Sequence, residues 1–413
     1  MDRVDTVVTA SGVESLATPE AVANPYPIYD RYRDESPVPG YRDWPPGTIP
    51  GLDEPVEAWA LFRYSDVLAA ARDTETFSSR DPLQEASSAP SLVLVNHDPP
   101  EHSALRKPVN LAFSPKRIAA LESWLAGQMP GLLDSLGEGE VDVMDLAPEV
   151  PARGMVRLLG LPEGDHVRFQ RWANAFMLSS AMSPDDRVAS NQEMFGVFTE
   201  RVAAAAAATD PDADVEAAGN LIAALMRAEV DGMRLTPEEI VRFCVTLVVA
   251  GTETTTYLIG NVLDTLAAYP DVCEEVRANR DLIPSMVEET MRLNGPPQRL
   301  FRIATRDVTV GDKLIKQGDW VALFFAAANR DPAMFERPDQ FDLHRPNIRK
   351  QLSLGHGLHF CLGAALARLE VLSVVNAVLD RYPTIRRGRR EPVKQTATLL
   401  QHGYVSLPLF LSR

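Results

Sequence analysis

One cysteine of the chain lies in a short loop that is rich in glycine and histidine. Residues 354–363 read Leu-Gly-His-Gly-Leu-His-Phe-Cys-Leu-Gly, and a strongly helical run follows, so Cys361 is expected at or next to a helix N-terminus. The dipole and the free N–H groups of such an end favour a thiolate. Gly355, Gly357 and Gly363 permit tight turns and the close approach of a flat ligand. A thiolate in this setting is a candidate axial ligand of haem iron, where it favours cleavage of an O–O bond.

Three other interpretations of this loop stay open from its residues alone. Cys361 could be a buried and chemically inert cysteine. His356, His359 and Cys361 could bind zinc, although no fourth ligand lies at a usual spacing. Cys361 could also be a nucleophile that a remote histidine activates.

A second region of interest is a long apolar helix. Thr236 can cap its start, Pro237 suits the first helical position, and Glu239 completes a capping box. No proline follows until Pro270, so the helix could run for about 33 residues, or roughly 50 Å. Residues 241–250 are apolar on nearly every side, which predicts a helix buried in a large core.

Polar residues interrupt this helix in its middle, where residues 250–255 read Ala-Gly-Thr-Glu-Thr-Thr. Burying a carboxylate there costs several kcal/mol unless it is paired or solvated, and Gly251 costs about 1 kcal/mol relative to alanine. The helix could simply reach the surface here, with its hydroxyls bonded to the preceding turn. Alternatively, Gly251 opens a groove in which Glu253 and Thr254 hold water for proton delivery.

Two further pairs have helical spacing. Glu289 and Arg292 lie three residues apart, and such a pair is usually a surface ion pair worth under about 1 kcal/mol. His102 and Arg106 lie four apart and place two donors on one helix face, which suits either a solvated face or a pair of ligand carboxylates.

Composition limits the possible functions. The 413 residues include 41 Lys plus Arg and 57 Asp plus Glu, a net charge of −16, which disfavours nucleic acid and anionic membranes as partners. Hydrophobic residues make up 45% of the chain, as in an ordinary globular protein. The cysteines, Cys244, Cys273 and Cys361, are few and far apart, which favours a reducing compartment. The N-terminus shows no signal-peptide core, and no apolar stretch reaches the length of a membrane span. We therefore expect a cytoplasmic protein.

The coarse pattern predicts a mainly α fold with a minor β region. Residues 99–328 are mostly helical, with Pro or Gly at the joints, while strand-like runs appear near 306–324 and at the C-terminus. No repeat is visible, and no linker is long and polar enough to divide the chain. Residues 1–413 are therefore expected to form a single domain without a fused reductase.

Taken together, the motifs resemble those of the cytochrome P450 family, over almost the whole chain. The loop around Cys361 resembles its haem-binding signature, residues 250–255 its oxygen-activation helix, and residues 289–292 its ExxR motif. The resemblance implies Cys361 as the proximal iron ligand, Gly251, Glu253 and Thr254 in proton delivery, Glu289, Arg292 and Arg345 as an ion-pair network, and His102, Arg106, Ala250, Arg302, His359 and Gly363 in binding haem. Leu354 departs from the pattern, which usually has Phe seven residues before the cysteine, and this changes the shielding of the thiolate.

The resemblance implies a cytochrome P450-like, soluble bacterial-type haem-thiolate monooxygenase. Such an enzyme inserts one oxygen atom of O2 into a largely apolar small organic substrate, with heme b (iron protoporphyrin IX) as cofactor. Electrons are expected from ferredoxin and ferredoxin reductase, or from flavodoxin, and the chain is expected to be a monomer. Candidate substrate-pocket residues are Val249, Ala250, Pro297, Leu300 and Leu400, with residues 83–95, Phe176, Met177 and Met182 nearby. A peroxide-driven peroxygenase, a non-catalytic haem-binding protein and a zinc hydrolase are the alternatives.

Basic residues near the cysteine loop suggest how an electron carrier docks. Arg106, Lys107 and Arg368 are predicted to form a basic patch for an acidic carrier. The run Arg386–Arg390 is predicted to be a charged turn rather than a nucleic-acid site.

Overall fold

The computed structural model describes Val13, Leu16 and residues 18–43, 55–86, 92–177 and 182–413. Helices dominate these residues, so the predicted mainly α class is confirmed. The α-helices are α1 (Pro19–Ala23), α2 (Tyr26–Arg33), α3 (Tyr64–Arg72), α4 (Pro82–Ala86), α5 (Glu101–Ala112), α6 (Pro115–Ala119), α7 (Glu122–Leu136), α8 (Glu149–Leu159), α9 (His166–Met177), α10 (Pro184–Ala208), α11 (Leu221–Arg227), α12 (Pro237–Ala268), α13 (Pro270–Ala278), α14 (Ile283–Asn294), α15 (Phe325–Ala328) and α16 (Ala364–Arg381).

The β-structure is minor and divided among several small sheets. The strands are β1 (Val38–Asp43), β2 (Val56–Leu61), β3 (Phe77–Ser78), β4 (Gly139–Asp142), β5 (Glu229–Val230), β6 (Met233–Arg234), β7 (Leu300–Ala304), β8 (Val308–Val310), β9 (Lys313–Ile315), β10 (Trp320–Leu323), β11 (Thr384–Arg387), β12 (Val393–Lys394), β13 (Tyr404–Ser406) and β14 (Pro408–Ser412). One sheet has the order β1-β2-β10-β7-β3, in which only β2 and β10 pair in parallel. A second has the order β11-β14-β4, and β5–β6, β8–β9 and β12–β13 form two-stranded pairs.

Helix α12 begins as its sequence predicts. The Thr236 side chain accepts from the Glu239 N–H at 3.2 Å, and the Glu239 carboxylate accepts from the Thr236 N–H at 2.7 Å. The capping box is therefore confirmed, and Pro237 opens the helix. The helix runs for 32 residues and ends at Ala268, two residues before Pro270.

Helix α12 is the central element of the core. Helices α8, α9, α10, α14 and α16 all pack against it. By length and composition alone it could cross a membrane, contrary to the expectation that no segment reaches that length. However, 83% of its most apolar window is buried inside the protein, as in the core helix of a folded domain.

Four elements converge on the cysteine loop. Helix α16 follows the loop directly, and α14 packs against α16. Helix α3 contacts the 3-10 turn Gly357–His359 inside the loop. Helix α5 reaches it from another side, where Arg106 donates to the carbonyl of Phe360 at 2.9 Å. The loop is therefore held by elements far apart in the sequence.

Candidate functional site

The cysteine loop has a fixed backbone. The N–H of Cys361 donates to the carbonyl of Leu354 at 2.9 Å, which closes the loop on itself. Gly355 and Gly357 have φ angles of +71° and +70°, a region that side chains disfavour. A Cβ at Gly357 would also lie 3.2 Å from the carbonyl oxygen of Ala71. Glycine is therefore required at these positions by backbone conformation.

The charge state of Cys361 depends on two opposing effects. Burial raises the pKa of the Cys361 thiol, while the N–H groups of Gly363 and Ala364 and the charges of Arg106 and Arg368 act to lower it. The N–H groups at the start of α16 thus favour the thiolate, as the sequence predicts, but burial outweighs them and the net shift of the Cys361 pKa is upward. Coordination to a metal ion deprotonates a cysteine outright, so the raised pKa does not oppose iron ligation.

Two histidines that are remote in the chain contact each other: His102 of α5 and His359, two residues before Cys361. The ring centroids of His102 and His359 are 4.5 Å apart, with the rings tilted by 55°. His102 is fully buried, and neither of its ring nitrogens has a partner among the described residues. The Nε2 atom of His359 lies 3.0 Å from the Ser79 hydroxyl. Burial lowers the pKa of His102 to about 4 and that of His359 to about 3.

Arg302 and Arg106, whose charges both act on His359, complete this cluster. Arg302, on β7, is buried and donates to the carbonyl of Phe301 at 2.7 Å. Burial lowers the pKa of Arg302 to about 10, and Asp98 acts in the opposite direction. Asp98 already accepts from the N–H of Ser79 at 2.9 Å.

The cluster therefore fits a ligand that brings its own negative charge. Buried guanidinium groups need carboxylates, and unpartnered buried nitrogens need hydrogen-bond partners. Cys361, the paired histidines and the two arginines match an iron porphyrin, which offers a metal for the thiolate and two carboxylates for the donors. The residues present thus fit haem. In the described part of the chain no group of three His, Cys, Asp or Glu is placed to hold a metal ion, so the zinc alternative lacks support.

The polar middle of α12 has features of both interpretations: a back-bonded hydroxyl near the surface, and a buried carboxyl that could deliver protons. The Thr254 hydroxyl donates to the carbonyl of Ala250 at 2.8 Å, which is the back-bonding expected of a helical threonine. Ala250 is nevertheless exposed and Thr254 half-buried, in contrast to the buried residues on either side. Glu253 is 5% exposed, and neither carboxyl oxygen has a partner among the described residues. Burial raises the pKa of Glu253 to about 8, so this carboxyl is largely protonated near neutral pH.

Gly251 serves a contact that the sequence did not reveal. A Cβ on Gly251 would lie 2.8 Å from Cε of Met155, on α8. The glycine therefore makes room for this methionine, and no motif signals the contact because the two residues are remote in the chain. The adjacent Ala250, not Gly251, is the residue of this pair with the more open surface.

The candidate substrate-pocket residues divide into two groups. Ala250 is exposed, and Pro297 and Leu300 are partly exposed. Val249 and Leu400 are buried, at 1% and 4% exposure, so they lie behind a pocket surface rather than on it. The side chains of Phe176 and Met177, and residues 87–91, lie outside the described residues.

The predicted charged triad is assembled in the core. Arg292 donates to both carboxyl oxygens of Glu289 at 2.8 Å, and Arg345 donates to the same carboxylate at 2.9 Å. All three side chains are buried. Arg292 also donates to the carbonyl of Asn329 at 2.8 Å, and the Asn329 side chain accepts from the N–H of Leu352 at 2.7 Å. The network therefore reaches the start of the cysteine loop.

The predicted basic patch is largely neutralised. Lys107 pairs with Asp231, and Arg368 pairs with Glu288 at 2.6 Å. Arg106 is turned toward the carbonyl of Phe360. Phe360, whose carbonyl accepts from Arg106, is itself 43% exposed, so an apolar ring is also available at this surface.

A second buried carboxyl escaped the sequence analysis. Glu370, on α16, is 1% exposed, and its Oε1 has no partner among the described residues. A Cβ on Gly154 of α8 would lie 2.4 Å from this oxygen, so the carboxyl is pressed against that helix. Burial raises the pKa of Glu370 to about 8. A glutamate on a helix is usually a surface residue, which is why sequence alone gives no signal.

Replacing Glu370 with glutamine should reduce the loss of stability at high pH. The pKa of Glu370 is about 8 in the folded state and about 4.3 in the unfolded chain. Below about pH 4.3 the carboxyl is protonated in both states, and its contribution to the free energy of unfolding is fully present. As the pH rises toward 8 the unfolded state loses this proton more readily than the folded state, so that contribution is lost. From about pH 5.5 to about pH 8.5 this loss is on the order of 3 kcal/mol in the wild type, and Glu370→Gln removes it. Urea unfolding at both pH values measures the difference. Asp380→Asn, at an exposed position of the same helix, is the control, and an identical pH slope for Glu370→Gln and wild type contradicts the prediction.

Known proteins with similar sequences belong to the family whose haem site these residues resemble. A family model described as Cytochrome P450 matches residues 166–404. The putative cytochrome P450 YjiB of Bacillus subtilis is 35% identical over 376 residues, covering 90% of this chain and 91% of YjiB. The erythromycin C-12 hydroxylase of Saccharopolyspora erythraea is 37% identical, covering 78% of this chain and 82% of the hydroxylase.

A solved structure extends the agreement to the fold. The crystal structure of CYP109E1 from Bacillus megaterium, in complex with testosterone, superposes with a TM-score of 0.80 at 28% identity. The match covers 94% of this chain and 100% of that one. Proteins of this fold and sequence family are oxidoreductases that bind haem b. The chain therefore belongs to the cytochrome P450 family, and it is a haem b-dependent monooxygenase.

Proposed function

We propose that this monooxygenase inserts one oxygen atom of O2 into a largely apolar organic molecule, with Cys361 as the thiolate ligand of the haem iron. The observation that carries the proposal is that the loop of Cys361 brings His359 against the buried His102, whose two ring nitrogens have no partner among the described residues. Substrate-dependent O2 consumption by the haem-loaded protein, with one oxygen of 18O2 found in the product, tests it. Incorporation of oxygen from peroxide alone would instead support the peroxygenase alternative.

We further propose how the chain holds haem. His102, Arg106, Arg302 and His359 would hold the two carboxylates, while Ala250 and Gly363 would lie against the macrocycle. The bound haem supplies the redox chemistry that activates O2. The protein supplies orientation, an apolar surrounding and protons.

Proton delivery is assigned to α12. Glu253 is protonated near neutral pH because burial raises its pKa to about 8, so it can give up a proton. Thr254, with its hydroxyl bonded to the Ala250 carbonyl, occupies the partly exposed face of the helix and can pass that proton on through its oxygen. A peroxide-driven enzyme has no need of this pair, which favours O2 as the oxidant.

Thr254→Ala should uncouple electron use from product formation. Removing the hydroxyl interrupts proton delivery, a type of contribution typically worth about 10²-fold or more. We expect product per electron to fall at least about tenfold while peroxide release rises, with haem content unchanged. Thr246→Ala removes an equally back-bonded hydroxyl two turns earlier in α12 and should leave coupling intact. Equal coupling in wild type and Thr254→Ala would refute the relay.

The substrate class follows from the pocket surface. Ala250, Pro297 and Leu300 are apolar and at least partly exposed, which suits an apolar ligand. Two similar proteins carry names or ligands of this kind, erythromycin for one and testosterone for the other. We therefore propose a bulky, mostly apolar molecule, and a screen for ligand-induced changes in the haem spectrum tests it.

Electrons are proposed to come from a separate carrier, a ferredoxin with its reductase or a flavodoxin. The match to a solved P450 structure covers 94% of this chain, which supports a single domain without a fused reductase. The exposed Phe360, next to Cys361 in the chain, is the proposed centre of the contact. Unbridged cysteines support a reducing location, which we propose to be the cytoplasm.

A further inference from the structure

A surface cleft lies outside the proposed substrate pocket. It has a volume of about 600 Å³ and opens between the α1–α2 junction, the end of α14 and strand β12. Its lining includes Tyr26, Asn294, Arg330, Asp339 and Lys394. The cleft is large enough for a small metabolite, and it brings a primary amine and a guanidinium group to one place.

The amine of Lys394 faces an unprotonated imidazole. Its Nζ lies 3.0 Å from Nε2 of His402, which is buried. Burial places the pKa of His402 well below its usual value, and the ring makes a hydrogen bond with the backbone of Val22. Because the ring donates that bond through its other nitrogen, Nε2 is left as an acceptor.

The surroundings of Lys394 keep its amine reactive. Burial lowers the pKa of Lys394 to about 8 against the opposing charge of Asp264, and Arg330 and Arg387 add to the lowering. A desolvated lysine near other cations is the usual form of a nucleophilic amine. Nε2 of His402, 3.0 Å from the amine, is the proton acceptor.

Among the described residues that line the cleft, Lys394 is the cation with no carboxylate in ion-pair contact, because Arg330 is paired with Asp339 at 3.0 Å. The guanidinium of Arg330 lies 3.5 Å from the centroid of the Tyr26 ring, and three of its donors are fixed by the carbonyl of Leu293 and the carboxylate of Asp339. Asp30, the other carboxylate of the cleft, is paired with Arg33 at 2.6 Å. Both carboxylates are thus paired with arginines, which leaves the charge of Lys394 to attract an incoming anion.

We propose that Lys394 is a modification site whose amine accepts an acyl group from a small acyl phosphate bound in this cleft. The amine nitrogen attacks the carbonyl carbon, a C–N bond forms, and the C–O bond to the phosphate breaks. Phosphate leaves with the electron pair of that bond, and the amine proton passes to Nε2 of His402 and from there to the released phosphate. The products are an N-acyl lysine and inorganic phosphate.

Acylation would loosen a hairpin that reaches the proposed substrate pocket. Lys394 and His402 join the two arms of the β12–β13 segment. At its tip, the carbonyl of Leu400 accepts from the N–H of Gln298 at 3.1 Å, next to Pro297. An amide at Lys394 has no positive charge and a single N–H where the ammonium has three, so it weakens the contact with His402.

The test compares six lysines within one protein. They are Lys107, Lys116, Lys313, Lys316, Lys350 and Lys394. Haem-loaded wild type is incubated with acetyl phosphate at about pH 8, and peptide mass spectrometry gives the initial acetylation rate at each position. About half of an amine with a pKa near 8 is unprotonated there, against under about 1% for an ordinary lysine, so we expect Lys394 to react at least about fivefold faster than Lys116. A rate at Lys394 no greater than at Lys116, an exposed lysine, overturns the proposal.

Two further arms test the binding site and the base. Inorganic phosphate should slow acetylation at Lys394 and not at Lys116, and acetic anhydride, which is uncharged, should show a smaller preference for Lys394. An undiminished preference with the uncharged reagent overturns the binding of the acyl phosphate as an anion in this cleft. His402→Gln should slow the reaction at Lys394 alone. If that variant does not fold, the comparison of lysines within the wild type still decides the proposal.

Discussion

Cys361→Ser is expected to abolish the thiolate-dependent spectrum and the monooxygenase activity while leaving the fold in place. A thiolate pushes electron density onto the iron, and a serine hydroxyl does not. The Cys361 N–H bond to Leu354 and the glycine conformations of the loop do not involve the sulfur, so the loop should persist. We expect the red-shifted Soret band of the reduced carbon-monoxide complex to disappear. Absorption spectroscopy of the carbon-monoxide complex and circular dichroism measure the two expectations.

Cys273→Ala is the matched control for this experiment. Cys273 is also a reduced, buried cysteine, but it lies on α13, away from the loop. Its replacement should leave the carbon-monoxide spectrum as in the wild type. If Cys361→Ser kept the same band, Cys361 would not be the ligand, and the proposed function would lose its basis.

Glu289→Ala should cost the protein about 3–5 kcal/mol of stability, or prevent it from folding. The substitution leaves Arg292 and Arg345 buried without the carboxylate to which both donate. It also removes the acceptor for the N–H of Asp342, 3.0 Å away. Urea unfolding and the haem content after purification measure the effect, and loss of haem should follow because the network reaches the cysteine loop.

The neighbouring residue supplies the control. Glu288 pairs with Arg368 at a partly exposed position, and such pairs contribute under about 1 kcal/mol. Glu288→Ala should therefore be nearly neutral. Glu289→Gln keeps the shape and one of the two acceptor oxygens but loses the negative charge, so its stability should fall between those of the two alanine variants. Equal stability for Glu288→Ala and Glu289→Ala would mean that the triad does not maintain the fold.

Local signals explain what the sequence could predict. The start of α12 was predictable because Thr236, Pro237 and Glu239 interact within one turn of chain. The turn geometry of Gly355 and Gly357 was predictable for the same reason. The triad of Glu289, with two arginines that include the distant Arg345, depended on resemblance to a family, since spacing alone is equally typical of a surface pair.

Features set by tertiary burial were beyond the sequence. The raised pKa of Cys361 results from packing that no local pattern encodes. Met155 packs against Gly251, and Glu370 packs against Gly154. Each contact joins two helices, and no local sequence pattern predicts how those helices are placed relative to each other. Lys394 and His402 are similarly joined only by a hairpin whose arms are short. These contacts between helices depend on the packing of the whole core, so they become visible only in the folded structure.

The link from the triad through Asn329 to Leu352 has a consequence for how the cofactor is acquired. Arg292 holds the carbonyl of Asn329, whose side chain in turn holds the N–H of Leu352, so folding of the polypeptide fixes the entry to the cysteine loop. A binding site that is already ordered before the ligand arrives loses little conformational entropy on binding. We therefore expect the rigid entry to this loop to help the chain retain haem once it is bound.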